Sequence, residues 1–280
     1  MAMTIAGSDS GAGAGLQADL KAMAAFGVLA TTVVTTVTAQ STAAVTGMVP
    51  LPSPFVEEQI MTVLADLPVA AVKTGMLGTA EVVRTVGRLA ARGLLPNLVV
   101  DPVMVSSSGH RLLEDGGVDA YRTELLPHAL VTTPNLREAA LLSELDLRWL
   151  TGIDGMEAAA RVIHRMGPRW VLVKGGHLAG VEPAGGTEPP SVVPDVLFDG
   201  STVTVVTAGW VDTPNTHGTG CSLSAAIAAR LAAGAGVHQA VEDAKGFVHR
   251  ALVGAADWRL GAGHGPIDHL GWSGTTPFPD

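Results

Sequence analysis

Short apolar segments rich in β-branched residues alternate along this chain with longer segments of helical periodicity. The clearest strand is residues 31–38, where Thr and Val fill every position. Further strands are expected at 3–6, 69–73, 97–101, 129–133 and 169–174. Helices are expected at 16–26, 54–66, 79–92, 116–126, 135–144, 155–166, 219–233 and 237–257. This alternation is typical of βαβ units and predicts an α/β fold with a mainly parallel central sheet flanked by helices.

The second half of the chain departs from this rhythm. Asp199-Gly200 separates two β-rich runs within residues 196–206, which predicts an antiparallel hairpin at the sheet edge. The Pro- and Gly-rich residues 180–194 predict a surface loop, and residues 261–280 an extended tail. Because neither a repeat nor a linker is evident, we expect a single domain over residues 1–280.

Composition excludes several classes of protein. A net charge of −9 without a basic run argues against nucleic-acid binding. One cysteine in 280 residues rules out an internal disulfide and fits a reducing compartment such as the cytoplasm. The N-terminus lacks the pattern of a signal peptide, and no apolar run reaches the roughly 18–20 residues of a membrane span.

Polar residues follow five of the expected strands, at the edge where parallel α/β sheets bind ligands. They are Gln40, Lys73-Thr74-Gly75-Met76, Asp101-Pro102-Val103-Met104, Thr133-Pro134-Asn135 with Glu138, and Lys174-Gly175-Gly176-His177. Asp101 and Glu138 are suited to Mg²⁺, directly or through water, although either alone could be a helix cap or a solvated acid. Lys174 could neutralise phosphoryl charge or be an ordinary surface lysine.

The segment Gly218-Thr219-Gly220-Cys221 precedes an alanine-rich helix. A helix start flanked by glycines presents N–H groups and the positive end of the helix dipole, which together favour an anion. Thr219 is the expected N-cap. The same dipole predicts a lowered pKa for the Cys221 thiol, although a lone cysteine here could also be a small buried apolar residue. There is no G-x-x-x-x-G-K-[ST] sequence, and the run 11–15 is not G-x-G-x-x-G, which disfavours a P-loop or NAD site.

Several motifs together resemble one enzyme family. They are residues 6–21, Val37-Thr38-Ala39-Gln40, residues 72–77, Asp101-Pro102-Val103-Met104, residues 133–138, residues 173–177, residues 212–221 and Gly263-His264-Gly265-Pro266. Their order and content resemble the hydroxymethylpyrimidine and phosphomethylpyrimidine kinases of thiamine biosynthesis, in the ribokinase-like superfamily. Ala12, where the family usually has glycine, and Pro214 depart from the pattern.

The resemblance implies a three-layer α/β/α sandwich that transfers the ATP γ-phosphate to 4-amino-5-hydroxymethyl-2-methylpyrimidine and then to its monophosphate. Gln40 and Asp19 would contact the pyrimidine, with a pocket lined by Gly7, Ala14, Met76 and Val103. Gly218, Thr219 and Gly220 would bind the phosphoryl group beside Cys221 as catalytic base. Asp101 and Glu138 would manage Mg²⁺. The nucleotide contacts would be Lys174, Asn135 and Lys245, and a homodimer is expected.

Two alternatives remain at this point. A pyridoxal or pyridoxine kinase shares the fold and the nucleotide site of the family, but the Ala6-Gly7-Ser8-Asp9-Ser10 and Thr38-Ala39-Gln40 segments favour the pyrimidine. A pyrimidine-binding regulatory module without catalysis would need no Cys221, Asp101, Glu138 or Lys174, and all four are present.

Overall fold

The computed structural model describes residues 1–105, 111–176 and 191–274, and its nine strands form one sheet in the order β3-β2-β1-β4-β5-β6-β7-β8-β9. The strands are β1 (Ala2–Ser8), β2 (Ala30–Gln40), β3 (Val45–Pro50), β4 (Ala71–Thr74), β5 (Val99–Val100), β6 (Val131–Thr132), β7 (Trp170–Lys174), β8 (Val192–Phe198) and β9 (Val203–Gly209). Neighbouring strands from β2 to β7 run parallel, while β3, β8 and β9 join as antiparallel partners at the two edges.

Helices cover both faces of the sheet. They are α1 (Gly15–Ala25), α2 (Ser53–Asp66), α3 (Ala80–Ala91), α4 (Gly117–Ala120), α5 (Leu136–Ser143), α6 (Ile153–His164), α7 (Thr219–Ala232) and α8 (Val237–Gly254). Side chains alternate across a strand, so Met3 and Ile5 of β1 pack on the face covered by α2–α6, while Ala2 packs on the face covered by α1, α7 and α8. This arrangement confirms the predicted three-layer α/β/α sandwich.

The structure corrects some element boundaries. Sequence periodicity did not reveal β3, because only its pairing with β2 organises this short segment. The expected helix 116–126 is a short α4 continued by a π-helical turn at Tyr121–Leu125 and a 3₁₀ turn at Leu126–His128. Residues 192–194, expected in a loop, begin β8, and residues 180–190 of that loop lie outside the described residues. The predicted hairpin is confirmed by the pairing of β8 with β9.

The C-terminal residues after α8 carry little regular structure. Residues 261–271 form neither helix nor strand, and a 3₁₀ turn follows at Trp272–Gly274. Residues 275–280 of the expected tail lie outside the described part. Among the described helices, none has the length and apolar character needed to cross a membrane. The single domain over residues 1–280 remains a prediction.

Candidate active site

The first turn of α7 forms one wall of the candidate site. Helix α7 begins at Thr219, and the preceding Gly218 has a left-handed backbone with φ of 84°. A Cβ atom on Gly218 would overlap the carbonyl oxygen of Gly13, so the contact between these two loops requires glycine. Since the N–H groups of a first helical turn have no partner within the helix, this turn is suited to an anion.

The expected capping role of Thr219 is wrong. Gly218 is the N-cap residue, and no side chain in the described part of the chain caps α7. Thr219 is the first helical residue, and its N–H donates to the carbonyl oxygen of Thr216 at 3.3 Å. The helix start is therefore shaped by glycine, without a hydroxyl competing for the amides.

Cys221 lies half-buried in the same turn, and the N–H of Gly15 donates to its sulfur. Burial raises the pKa of the thiol to about 11; the charge of Lys73 opposes this rise, whereas Asp19 and Asp101 add to it. The expected lowered pKa is therefore wrong. Loss of solvation and two nearby carboxylates outweigh the helix dipole and the lysine.

Lys174 and Asp101 form an ion pair beneath this turn. Lys174 Nζ lies 2.9 Å from Asp101 Oδ1, and a Cβ atom on Gly220 would lie 3.1 Å from the same nitrogen. Thr133 and Ser224 donate hydroxyl hydrogen bonds to the Asp101 carboxylate at 3.0 and 3.2 Å. Burial alone would lower the pKa of Lys174, but Asp101 raises it above its ordinary value. A protonated lysine thus lies beside the anion-binding amides.

Asp19 lies beneath the site rather than at its surface. Its fully buried carboxylate accepts hydrogen bonds from Lys73 Nζ at 2.7 Å and Thr4 Oγ1 at 2.6 Å. The register of β1 and β4 pairs Thr4 with Lys73, and Asp19 reaches both from α1. Because both neighbours occupy the carboxylate, the pyrimidine contact expected of Asp19 does not fit this arrangement.

The expected magnesium ligands are also occupied by neighbouring groups. Glu138 Oε2 accepts from the N–H of Asn135 at 2.8 Å, and Asn135 Oδ1 accepts from the N–H of Glu138 at 3.0 Å, a capping box at the start of α5. Asp101 is committed to Lys174, Thr133 and Ser224. Within the described ranges, no group of three or more His, Cys, Asp or Glu is placed to hold a metal. These contacts show no preformed metal cluster, and the Mg²⁺ role expected of Asp101 and Glu138 remains a prediction.

The loop after β1 is folded around the carboxylate of Asp9. This carboxylate accepts from the N–H groups of Gly11, Gly13 and Ala14 at 2.8, 3.1 and 2.8 Å. Burial alone would raise the pKa of Asp9, but the hydrogen bonds from His217 and the loop amides hold it below its ordinary value. An ionised Asp9 therefore uses amides that this loop could otherwise offer to a phosphate.

Gln40, the expected pyrimidine contact, ends β2 beside that loop. Its N–H donates to Ser10 Oγ at 2.8 Å, and the Ser10 hydroxyl donates to the Gln40 carbonyl oxygen at 2.9 Å. Its side-chain nitrogen lies 3.3 Å from His217 Nε2, which lies 2.9 Å from Asp9 Oδ2. These contacts join the end of β2 to the loop that leads into α7.

The expected lining residues of the pyrimidine pocket lie in the loops around the same sheet edge. The methyl group of buried Met76 fills the space that a side chain at Gly7 would need. Ala14 and Val103 are half-buried. The structure brings Gly7 and Met76 into contact, and a contact of all four residues with the pyrimidine remains a prediction.

The two other expected nucleotide contacts differ in their surroundings. Asn135 lies beside Lys174 through an isolated parallel bridge. Lys245 lies in the wall of a cavity of about 390 Å³ between β9 and α8. Its Nζ lies 2.7 Å from Asp195 Oδ2, so its charge is already paired. Nucleotide binding by either residue remains a prediction.

The sequence analysis gave no individual role to three residues that the structure places around the site, namely Asp9, Lys73 and His217. All three lie in or beside the motifs that resemble the kinase family, which was the available signal. Their contacts join distant parts of the chain, since 208 positions separate Asp9 from His217. Spacing along the sequence therefore could not reveal them.

Comparison with known proteins identifies similar proteins along nearly the whole chain. The family described as phosphomethylpyrimidine kinase matches residues 9–268. The hydroxymethylpyrimidine/phosphomethylpyrimidine kinase of Rhizobium meliloti (strain 1021) is 45% identical over 271 residues, covering 96% of this chain and 97% of that protein. The probable thiamine biosynthetic bifunctional enzyme, chloroplastic, of Oryza sativa subsp. japonica is 46% identical over 270 residues. That match covers 96% of this chain and 47% of the plant protein, so the chain spans about half its length.

A solved structure, an ADP complex of Bacillus subtilis pyridoxal kinase, superimposes with a TM-score of 0.83 at 35% identity over 98% of both chains. This overlap confirms the ribokinase-like fold expected from the sequence. The family match covers most of the chain, and the bacterial relative aligns over almost its full length. The chain therefore belongs to the phosphomethylpyrimidine kinase family.

Proposed function

We propose that the protein transfers the γ-phosphate of ATP to the hydroxymethyl group of 4-amino-5-hydroxymethyl-2-methylpyrimidine, and then phosphorylates the monophosphate to the diphosphate, in thiamine biosynthesis. The observation that carries this proposal is the meeting of the first turn of α7 with Lys174 and Cys221 at the carboxyl edge of the sheet. The name of the Rhizobium relative supports the substrate, and the ADP complex of the Bacillus kinase supports a nucleotide donor.

The chemistry proposed for this site depends mainly on positioning and charge. The amides of Gly218, Thr219 and Gly220 and the ammonium of Lys174 would hold the transferring phosphoryl group. The Thr219 N–H would exchange its 3.3 Å hydrogen bond to the Thr216 carbonyl oxygen for a phosphoryl oxygen. The alcohol oxygen forms a bond to the γ-phosphorus while the bond to the bridging oxygen of ADP breaks. Cys221 would accept the alcohol proton as the thiolate, which is the minor form at neutral pH because burial raises the pKa of the thiol to about 11. This proton leaves late in a loose transition state.

Substrate recognition is proposed to come from Gln40, whose side chain offers both a donor and an acceptor for the amino edge of the ring. Met76, packed against Gly7, offers an adaptable apolar surface for the ring face. Since Asp101 and Glu138 already accept hydrogen bonds from protein groups, we propose that Mg²⁺ arrives with the nucleotide phosphates and meets these two carboxylates directly or through water.

A time course with ATP and hydroxymethylpyrimidine tests the function, with separation of the mono- and diphosphate products. We expect the monophosphate to appear first and then to decline as the diphosphate forms. Cys221→Ala should lower turnover at least ~10²-fold, as is typical for loss of a base, with pyrimidine affinity little changed. Pyrimidine binding without ATP turnover would instead indicate a regulatory module, and near-normal turnover of Cys221→Ala would remove the thiol from the mechanism.

A second candidate function is phosphorylation of pyridoxal or pyridoxine, and the likeness to the Bacillus pyridoxal kinase favours it. Comparison of kcat/KM for the pyrimidine alcohol and for pyridoxine separates the two. We expect a clearly higher kcat/KM for the pyrimidine alcohol. A higher kcat/KM for pyridoxine would instead identify the protein as a pyridoxine kinase.

We also propose a homodimer that does not bind nucleic acid and works in a reducing compartment such as the cytoplasm. The net negative charge argues against nucleic-acid binding, and the lone cysteine fits a reducing compartment. An exposed apolar face on the β2–β3 ribbon supports the dimer. The side chains of Val37 and Val49 lie opposite each other there and are 48% and 64% exposed.

A further inference from the structure

Residues 261–269, called here the C-terminal strap, run from the region after α8 to the first turn of α7. The strap contains the segment Gly263-His264-Gly265-Pro266. Neither the sheet nor the proposed phosphoryl transfer accounts for this segment, which lies outside every helix and strand. Its contacts fall on three separate elements around the site.

The first contact is with the turn between β2 and β3, which directly follows Gln40. The N–H of Gly263 donates to Thr42 Oγ1 at 3.2 Å. A Cβ atom on Gly263 would overlap the carbonyl oxygen of Thr42, and one on Gly261 would overlap the Thr42 hydroxyl. The strap therefore lies so close to this turn that a side chain at position 261 or 263 would clash with Thr42.

The second contact is with the loop leading into the anion-binding turn. His217 donates its N–H to the carbonyl oxygen of Gly265 at 3.0 Å and forms a parallel bridge with Pro266. His264 Nδ1 lies 3.1 Å from the carbonyl oxygen of Pro214. A Cβ atom on Gly265 would overlap the side-chain oxygen of Asn215. Backbone contacts thus join the strap to the loop immediately before Gly218.

The third contact is with α7 itself. His269 Nε2 lies 2.7 Å from Ser222 Oγ, and the Ser222 hydroxyl donates to the carbonyl oxygen of Gly218 at 2.8 Å. His269 is 3% exposed, so this pair is shielded from water. Asp268 fixes the end of the strap through its N–H, which donates to the carbonyl oxygen of Ala251 at 3.0 Å.

We propose that the C-terminal strap is a positioning element that holds the turn after Gln40 at a fixed distance from the anion-binding end of α7. This inference rests on the proposed function, because it supposes a pyrimidine alcohol on the Gln40 side and a phosphoryl group on the α7 side. Transfer requires the reacting atoms to approach within roughly 3–3.5 Å, and a displacement of about 1 Å can reduce the rate about 10²-fold. The strap contacts both sides directly, so it fixes their separation.

Gly263→Ala tests the proposal by placing a methyl group against the Thr42 carbonyl oxygen. We expect kcat/KM for the pyrimidine to fall at least ~10-fold, with kcat lowered and KM raised, well below the unfolding temperature. The matched control is Gly236→Ala, because Gly236 has φ of −71° and no described heavy atom lies within 4 Å of the added Cβ. This control should keep kinetic constants close to those of the wild type.

A second pair of variants applies if Gly263→Ala folds poorly. Thr42→Ala removes the acceptor of the Gly263 N–H, whereas Thr42→Ser keeps it. We expect Thr42→Ala to show the same combined change in kcat and KM, and Thr42→Ser to restore most of the loss. If Gly263→Ala or Thr42→Ala lowers the thermal stability but keeps wild-type kinetic constants, the strap stabilises the fold without positioning the site. This result would overturn the proposal.

Amide hydrogen exchange supplies a readout that does not depend on the reaction. Residues 41–44 and 215–220 should exchange faster in Gly263→Ala and Thr42→Ala than in the two control variants, while the sheet centre stays unchanged. Unchanged exchange at both segments would also contradict the proposal. If the wild-type protein lacks kinase activity, the proposed function fails, and hydrogen exchange still shows whether the strap joins the two segments.

Discussion

At the scale of single residues, buried charges beneath α7 determine the protonation of the site. Lys73 is paired with Asp19 and Lys174 with Asp101, and all four side chains are largely or fully shielded from water. Removal of one partner from such a pair typically costs about 3–5 kcal/mol, because it leaves an uncompensated buried charge. These pairs place two cations near Cys221, yet burial, assisted by the charges of Asp19 and Asp101, keeps the pKa of the thiol above its ordinary value.

The first prediction concerns the reactivity of Cys221. Since burial raises the pKa of the thiol to about 11, alkylation by iodoacetamide should be slow near neutral pH and should accelerate about tenfold per pH unit. Rates measured from pH 7 to 10 should show no plateau. Cys221→Ala provides the blank, because the chain has no other cysteine. An alkylation rate that stops rising below pH 8 would show that the pKa of the Cys221 thiol is lowered, as expected from the helix dipole, and would contradict this prediction.

The second prediction concerns Glu138. Burial raises its pKa from 4.5 to about 7, so its contribution to stability is complete below about pH 4.5 and is lost as the pH rises through 7. Glu138→Gln keeps an oxygen for the Asn135 N–H and removes the buried charge. The variant should therefore gain about 1–3 kcal/mol over the wild type between pH 5 and 8.

Urea unfolding at several pH values measures this difference. Glu58→Gln, which changes an exposed glutamate, corrects for the change in net charge. Parallel stability curves for wild type and Glu138→Gln would show that Glu138 is ionised throughout this pH range in the folded protein.

At the scale of elements, the junction between α7 and the loop after β1 depends on Gly218. Gly218→Ala adds both left-handed strain and an overlap with the Gly13 carbonyl oxygen. Gly234→Ala is the matched control, because Gly234 has φ of 87° and no described neighbour within 4 Å of an added Cβ. We expect Gly218→Ala to lose at least about 1 kcal/mol more stability than the control, because of overpacking.

Unfolding midpoints of these two glycine variants, together with ATP turnover, measure the effect. Gly218→Ala should also reduce turnover, because the amides of the first turn shift when the loop moves. Equal losses of stability in the two variants would mean that the Gly13 loop moves away from the added methyl group at no measurable cost in free energy. The contact with Gly13 would then not hold α7 in place.

At the scale of the whole molecule, the edge ribbon β2–β3 leaves an apolar face exposed. We expect the wild type to sediment as a dimer and Val49→Lys to weaken the association at least ~10-fold, because a charge would have to be desolvated at the interface. Ala158→Lys, at an exposed position of α6, which packs against β7 and β8, should leave the dimer intact. A monomeric wild type would contradict the proposed subunit number.

Most elements could be predicted from the sequence because their signals are local. The β-branched run of β2 and the periodic apolar residues of α2, α3 and α6 specify their structure within a few neighbouring residues. The strand β3 has no such pattern, and it forms because β2 lies beside it. The prediction of Thr219 as the N-cap of α7 fails because a non-local contact decides this helix start. Gly218 packs against Gly13, which is distant in the sequence, and takes the N-cap position.

The sequence by itself determined the α/β architecture, the carboxyl edge as the candidate site, and the residue types that gather there. These follow from periodicity, from the end of each parallel strand and from motifs that resemble a kinase family. Only the tertiary structure decided which groups remain available to a ligand. It paired Asp19 with Lys73 and Asp101 with Lys174, because burial makes an unpaired charge costly and distant residues then satisfy one another.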